Sequence, residues 1–521
     1  MCFPVTLMSM GLRNAYLIYI CYPETMRKLF VLFLLFLSSY NQLSAQLFPR
    51  EGYKLCYRLI GFQFPVPAGT VKNKIEIAKG THTTESTFEQ NIAKSITITD
   101  HKIITEVPSF GTPYTWRVVS YNAANAVAKS EFHHFSVKMT ADVDPAMTRL
   151  RVIKNAETYK DAYVFIDGNR VLYDMKGNPV WFLPGTEQTD NKSVASRDMK
   201  LTPRGTITFF TGSHPYEINY NGSILWQYTN REPAVMHHEF THLANGHYMG
   251  LVYEDRTGQS QPVIQDSIRQ YIYDSAGFFR SRRYSNIMEF DEHSRPVWQW
   301  NGLQYENGSD LRLRRTVDCN PLDYDLHENS FFFDEKNKII YMSVRNLSRI
   351  IKIKYPEGKV LATYGTVYKP GTTHMENSLF CGQHSCKLSK NGYLYLFNNN
   401  SCTTSLPTIV KLQEPGPGKT ELKKIWEYQC TVEPQDAAAI GNTRFVSGGS
   451  VTELPDQTML VMMGLPYPKV FIVNNDKKVL WSAVPERYDP IAKKWTYTDQ
   501  YRACLITSRK DLEQLIWNSE K

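Results

Sequence analysis

The chain has 521 residues and carries 59 Lys and Arg against 51 Asp and Glu, a formal net charge of +8. At roughly 150 residues per domain, this length allows three or four ordinary domains, or one large repeat fold with a smaller companion. Hydrophobic residues make up 42% and charged residues 21% with no long single-residue tract, which excludes disorder and collagen-like structure, and the charge per residue is too small to argue for a nucleic-acid partner.

The first organised feature is an address. Leu29 to Leu37 is strongly apolar but shorter than the ~20 residues a bilayer crossing needs; Arg27 and Lys28 precede it and Leu43-Ser44-Ala45 follow. The order charged, apolar, small predicts a signal peptide over 26–45, beginning at Met26 and cut after Ala45, with 1–25 an upstream extension. No membrane span is expected after cleavage. Removal of Cys2 and Cys21 leaves Cys56, Cys319, Cys381, Cys386, Cys402, Cys430 and Cys504, an odd number, so at least one thiol stays unpaired. Export permits disulfides, and Cys381, Cys386 and Cys402 are near enough in sequence for a local bridge. No two-plus-two metal spacing occurs, and neither a metal nor another cofactor is expected.

From 46 to 147 the chain alternates apolar and polar residues in short runs, such as Lys94 to Thr99 and Tyr114 to Tyr121, with turn residues at roughly ten-residue intervals, which predicts a β-sandwich. Pro113 to Val118 resembles a strand of a fibronectin type III domain.

From 148 to 521 a loose repeat takes over. One half is a turn followed four residues later by Trp: Gly177 to Trp181, Gly222 to Trp226, Ser294 to Trp298 and Lys477 to Trp481, with Gly358 to Ala362 and Leu422 to Trp426 keeping the spacing. The other half is an apolar strand ending in a tight turn, at Asp167-Gly168, Arg204-Gly205, Asn245-Gly246, Lys336-Asn337, Asn391-Gly392 and Asp456-Gln457. Six such units predict an all-β fold, a six-bladed β-propeller with the Trp hairpins outermost and Trp packed between blades. The segment Tyr501 to Thr507 is a candidate for the strand that closes the ring.

Inner strands of a propeller line its channel, so residues at one offset before each inner turn converge on the axis. About seven residues before the turns stand Arg197, His238, Asn329, His384 and Ser450, and His327 lies two before Asn329, on the same strand face. Strands that only pack a core do not place titratable side chains at repeated equivalent positions.

At these positions a family resemblance emerges. Met236-His237-His238-Glu239-Phe240-Thr241 leading to Asn245-Gly246, Asp325-Leu326-His327-Glu328-Asn329-Ser330 followed by Ser343 to Ser348 and Ile351-Lys352-Ile353, and Gln383-His384 leading to Asn391-Gly392 and Phe397-Asn398-Asn399 together resemble, in order, the blocks of bacterial arylsulfate sulfotransferases. The resemblance implies that His384 is a nucleophile that becomes a sulfohistidine, with His238, His327 and Arg345 around the sulfuryl group. It implies ping-pong transfer from an aryl sulfate to a phenolic acceptor without a nucleotide sulfate donor, and a homodimer formed through the sandwich. For an exported bacterial chain the expected location is the periplasm. A sulfuryl group passing through nitrogen needs a neutral imidazole in line and donors for its equatorial oxygens, and Arg345 offers a planar, permanently charged fork. A second histidine, His238 or His327, serves as acid and base. Asn329, Ser450 and Arg197 are candidate substrate-binding residues, although Asn329 equally fits a strand terminator. Glu239 departs from the Asp of the pattern, and Tyr324 and Leu326 leave no Trp before His327.

Two other readings compete. His238-Glu239-Phe240-Thr241-His242 is formally the zinc metalloprotease motif, but Asn245-Gly246 follows as a strand would require; on a strand the two histidines stand about 13 Å apart, too far to share a zinc. Arg280, Arg282, Arg283, Arg312, Arg314 and Arg315 read as a solvated basic face, with an anionic glycan or a negatively charged substrate as the alternative. From another class altogether comes a non-catalytic, ligand-binding propeller of the cell envelope, because fold does not fix function.

Overall fold

The computed structural model describes residues 3–5, 18–20, 47–139, 145–184, 196–212, 214–228, 235–255, 281–302, 323–325, 327–365, 379–416, 421–441 and 443–518. The leader over 26–45, Cys319, Leu326, Arg280, Arg312, Arg314 and Arg315 lie outside these residues. Two compact units divide the chain, one made of Met1–Tyr53, Gly61–Thr105 and Pro113–Phe135, the other of Lys54–Ile60, Glu106–Thr112 and Ser136–Lys521.

The smaller unit is built on the long strands Thr70–Lys79 and Thr112–Asn122, which pair antiparallel with Ile92–Ile98 alongside. Alternation buries Ile75, Ile77, Trp116 and Val118, and Phe62 meets Trp116 edge-on at 5.1 Å. Such aromatic contacts add to area burial by roughly 1 kcal/mol each. Arg117 is buried here and bonded through Nε to Glu76 at 2.7 Å, so its charge is satisfied within the layer.

The larger unit is a propeller-like succession of small, mostly antiparallel sheets. In chain order, the second sheet holds Ser196–Leu201, Ile207–Thr211, His214–Ile218 and Ile224–Gln227. The third holds Val235–His242, Tyr248–Asp255, Ser281–Phe290 and Pro296–Trp300. The fourth holds Glu328–Asp334, Ile339–Val344, Arg349–Lys354 and Lys359–Gly365. His384–Leu388, Leu394–Asn398, Thr408–Gln413 and Lys423–Gln429 make the fifth, and Ser450–Glu453, Met459–Met462, Val470–Val473 and Val479–Asp489 the sixth. The first sheet is different. Tyr163–Ile166, Val171–Asp174 and Pro179–Phe182 are joined by Ala503–Ile506 from the far end of the chain.

Apolar layers connect consecutive sheets. Leu251 and Ile287 of the third pack with Ile340 and Met342 of the fourth. Leu460 and Trp481 of the sixth pack with Val164 and Val171 of the first, so the series returns to its start. Of the expected tryptophans, four reach the outer turn of the next sheet through their indole N–H groups: Trp181 donates to the Tyr220 carbonyl at 2.8 Å, Trp298 to Pro356 at 2.7 Å, Trp426 to Asn475 at 2.8 Å and Trp481 to Met175 at 3.0 Å, while Trp226 stacks on Phe240 and Tyr248. A buried indole usually finds such an acceptor, which favours an aromatic at this distance from a turn; Trp226, whose indole N–H has no partner among the described residues, is held by ring stacking instead.

Ring closure corrects one expectation. Asp167-Gly168 is not an inner turn; it joins the second and third strands of the first sheet, whose inner strand is Ala503–Ile506 paired with Tyr163–Ile166. The returning segment also explains the glycine, because a Cβ at Gly168 would lie 2.1 Å from the Asp499 carbonyl oxygen. A second closure runs outside, where Thr148–Lys154 pairs with Val479–Asp489.

Candidate active site

The inner strands are not regular. Their ladders shift register between Arg197 and Lys200, His237 and Phe240, Glu328 and Ser330, and His384 and Lys387. Left-handed backbone occurs within or beside the same places, at Asp198 (φ 58°), His238 (φ 56°), His327 (φ 53°) and Ser385 (φ 55°). A bulge with one residue in this conformation turns a side chain out of the strand's alternation, at a cost of about 1–2 kcal/mol for a non-glycine residue. Equal sequence offset therefore picks out residues in two different backbone settings. Arg197, His237, Glu328 and His384 are the last paired residues before the four shifts, whereas His238 and Asn329 fall within them.

Four of the expected residues converge. The rings of His238 and His327 are 5.0 Å apart, and Tyr501 lies 5.8 Å from His238 and 6.2 Å from His384. Arg345 follows strand Ile339–Val344, and its amide donates to the His327 carbonyl at 3.1 Å. The guanidinium is 4% exposed; Nη1 donates to Asn346 Oδ1 at 2.9 Å and Nη2 to the Val446 carbonyl, which fixes its plane.

Electrostatics keep the three histidines uncharged. Burial, with Arg197 and Arg345 adding to it, pulls His238 down to about 3. His384 lies well below the ordinary imidazole value because of burial and Arg345; His327 does too, through burial, His238 and Arg345. At neutral pH each ring has one protonated and one bare nitrogen. For His384 the assignment follows from its partner. Asn399 is buried, its Nδ2 donates to the Gly448 carbonyl at 3.0 Å, and its Oδ1 therefore faces His384 Nδ1 at 2.7 Å. A carbonyl can only accept, so the His384 proton is on Nδ1 and the lone pair on Nε2. The disulfide Cys381–Cys402 clamps this corner, while Cys386 is buried as a free thiol.

His238 has a comparable support. Its Nδ1 lies 2.6 Å from Nδ1 of His237, His237 Nε2 lies 3.1 Å from Ser285 Oγ, and Ser285 donates to Glu328 Oε2 at 2.9 Å. His237 stacks on Tyr253 with centroids 3.4 Å apart, and Ser285 and Glu328 are buried.

The other three expected residues have different surroundings. Asn329 is fully buried, and one hydrogen of its Nδ2 is given to the Gln383 carbonyl at 2.8 Å, which makes it a link between sheets. Ser450 is buried at the start of its strand, and no hydrogen bond or ring contact connects it with the histidines among the described residues. Arg197 pairs with Asp499 at 2.7 Å, half exposed, so it acts on His238 through its field.

Three features escaped the sequence reading. Tyr501 is buried between the histidines, its hydroxyl donating to the Asn329 carbonyl at 2.7 Å, and burial raises its phenol well above the ordinary value, so it stays neutral. Beneath it lies an ionic layer: Arg502, 2% exposed, binds Asp198 at 2.6 Å and Glu239 at 2.6 Å, and Lys200 binds the same two carboxylates at 2.8 and 2.7 Å. Burial would raise Glu239, but Arg502 and Lys200 prevail and hold it down to about 2. Glu239 is thus a member of this layer, which accounts for an acid at that position, and from there its charge acts on His238. Asp167 completes the support by accepting from the Tyr501 and Arg502 amides at 3.1 and 2.8 Å. Finally, a cavity of about 440 Å³, lined by Thr443, Arg444, Val446, Ser447, Leu465, Pro466 and Tyr497, abuts the site at Val446, the residue whose carbonyl Arg345 holds.

The metalloprotease motif does not form a site. Val235–His242 is a strand, and His242 turns to Glu217 at 3.0 Å. No group of metal-ligating side chains occurs among the described residues.

A model of the family described as Arylsulfotransferase (ASST) matches residues 136–415. No curated protein matches the chain. Among solved structures, the chain is similar to a protein of unknown function from Bacteroides caccae (12% identity, 67% of this chain and 98% of that one, TM-score 0.39). It is also similar to Hsv2 of Kluyvelomyces marxianus (10% identity, 77% and 94%, TM-score 0.28) and to a putative 6-phosphogluconolactonase from Bacteroides uniformis (10% identity, 83% and 99%, TM-score 0.27).

Proposed function

Because the chain belongs to the arylsulfotransferase family, we propose that it moves a sulfuryl group from a phenolic sulfate ester to a phenolic acceptor in two half-reactions, with His384 carrying the group between them. The observation that carries this reading is the state of His384: neutral, with Nδ1–H held by Asn399 and the lone pair on Nε2, beside a fixed guanidinium. In the first half-reaction Nε2 attacks sulfur in line and the S–O bond to the phenolate breaks. The product is a sulfohistidine, a zwitterion in which Nδ1 keeps its proton, so the imidazole is a good leaving group for the second half-reaction. Arg345 balances charge on the sulfuryl oxygens, the electrostatic term that dominates such transfers. One of the two neighbouring histidines protonates the departing phenolate and later takes the proton of the acceptor phenol. The cavity at Val446 has room for an aryl group and presents Tyr497 and Pro466 to it.

The same reading includes the domain plan: a sandwich over 46–147 and a six-bladed propeller over 148–521, supported by the cyclic packing of the sheets. It includes cleavage of 26–45 and a periplasmic location, which the Cys381–Cys402 bridge favours because such bridges persist in oxidising compartments. A dimer through the sandwich belongs to it as well. No helix among the described residues is long and apolar enough to cross a membrane.

The test is transfer itself. Incubation with 4-nitrophenyl sulfate and a phenol should release 4-nitrophenolate and form the new aryl sulfate, and His384→Asn should abolish both. Binding of phenols without transfer, unchanged in His384→Asn, would favour a non-catalytic binding propeller instead.

A further inference from the structure

His238 and His327 are both neutral histidines beside His384, and His238 is joined to a buried carboxylate through contacts that cross two sheets. His238 Nδ1, His237 Nδ1 and Nε2, Ser285 Oγ and Glu328 Oε2 form an unbroken series at 2.6, 3.1 and 2.9 Å. Glu328 is 1% exposed, Ser285 fully buried and His237 8% exposed, so the series is sheltered from water along its length. Each intermediate group can donate and accept once along the line, and a hydroxyl with one hydrogen can point only one way at a time. The three hydrogen bonds therefore share a direction and reverse together.

We propose that Glu328, Ser285 and His237 form a proton relay that makes His238 the acid and base of sulfuryl transfer, with Glu328 storing the proton between the half-reactions. The proposal rests on the sulfuryl-transfer reading above. When Glu328 holds the proton, it donates to Ser285, Ser285 to His237 Nε2 and His237 Nδ1–H to His238 Nδ1, which leaves His238 with Nε2–H. As the S–O bond to the donor breaks, that hydrogen passes to the phenolate oxygen, each bond in the series shifts by one proton, and Glu328 is left as a carboxylate. In the acceptor step the phenol O–H gives its proton to His238 Nε2 and the shifts run backward. Neither half-reaction needs an imidazolium, which is the point of the device. The groups facing His238 are Arg197 of the second sheet, Arg345 and His327 of the fourth, Tyr501 of the closing segment, and His237 and Glu239 of its own strand; the two arginines oppose a second cation there. A store on a distant carboxylate avoids that charge. Neither residue stands out in the sequence, because Ser285 belongs to no motif and Glu328 sits in the His327 block without a role of its own.

Glu328, Ser285 and His237 are positioning residues, and the dependence of rate on leaving group separates their role from packing. In the full chain, Glu328→Gln and Ser285→Ala should slow donor cleavage by about 100-fold for phenyl sulfate, whose phenolate requires a proton, and by only a few-fold for 4-nitrophenyl sulfate, since acid catalysis is worth roughly 10²–10⁴ for a poor leaving group. A plot of log rate against leaving-group pKa should steepen in both variants, and Ser285→Thr, which keeps the hydroxyl, should restore the parent slope. Equal losses for both esters, or none, would overturn the relay while leaving sulfuryl transfer intact. A parent protein that cleaves neither ester would overturn the transfer reading and the relay with it.

Discussion

Asn399→Leu removes two buried hydrogen bonds at once, the 2.7 Å bond from His384 Nδ1 and the 3.0 Å bond to the Gly448 carbonyl. Leucine keeps the volume but cannot accept. An unsatisfied buried N–H costs about 1–3 kcal/mol, and the imidazole escapes that cost by moving its proton to Nε2, which masks the attacking lone pair. At about 1.4 kcal/mol per tenfold, sulfuryl uptake should slow by roughly 10–100-fold. The assay is a single-turnover burst of 4-nitrophenolate from 4-nitrophenyl sulfate, run beside a thermal melt to show that the variant is folded. Asn399→Asp keeps an acceptor at Nδ1 and should retain more of the burst than the leucine variant. A folded Asn399→Leu protein with a burst rate within about twofold of the parent would refute the argument that this amide sets the His384 tautomer.

Acidification tests the neutral cluster. His384 takes a proton only well below its ordinary value, since burial and Arg345 oppose the charge, so single-turnover uptake should pass through the ordinary imidazole range without loss; an acid limb centred near 6.5 would contradict this. The same depressed values make stability pH-dependent: unfolded histidines bind protons below about 6.5 while the folded ones do not, so stability present above that pH is lost as pH falls, by about 1.4 kcal/mol per unit for each, measurable by urea titration at stepped pH. Arg502→Met leaves Asp198 and Glu239 to Lys200 alone and should cost about 3–5 kcal/mol in denaturant unfolding, and a loss under about 1 kcal/mol would show that the ionic layer is dispensable. Cys381 and Cys402 are 21 residues apart, so paired Cys→Ser changes should cost about 3 kcal/mol and slow the burst as the Asn399 corner loosens; an unchanged burst would separate the clamp from the site.

The sequence carried the repeat because its markers are local. A tight turn favours Gly or Asn, and most of the spaced indoles donate to the neighbouring turn's carbonyl, so both recur at fixed distances along the chain. Asp167-Gly168 misled for the same reason: a turn looks alike wherever it falls in a sheet, and only the return of Ala503–Ile506 reveals that this one is not innermost. The histidines were legible as a set, because they stand near equal offsets on inner strands. Their roles were not. Left-handed backbone at His238 and His327 breaks the two-residue alternation from which side-chain direction is read, and nothing in the sequence marks it. Asn399 stood in a quoted motif without a function, since its task depends on Gly448, which lies 49 positions away. Tyr501 looked like part of a closing strand, and its place between His238 and His384 is fixed by Asp167, far away in the chain.

The central claim is that His384 carries the sulfuryl group. Mixing the full chain with 4-nitrophenyl sulfate in the absence of acceptor, quenching at alkaline pH to preserve a phosphoramidate-like N–S bond, and mapping the peptides by mass should place one sulfuryl group on His384, lost again when a phenol is added before the quench. A label on another residue, or 4-nitrophenolate release with no labelled protein, would contradict it.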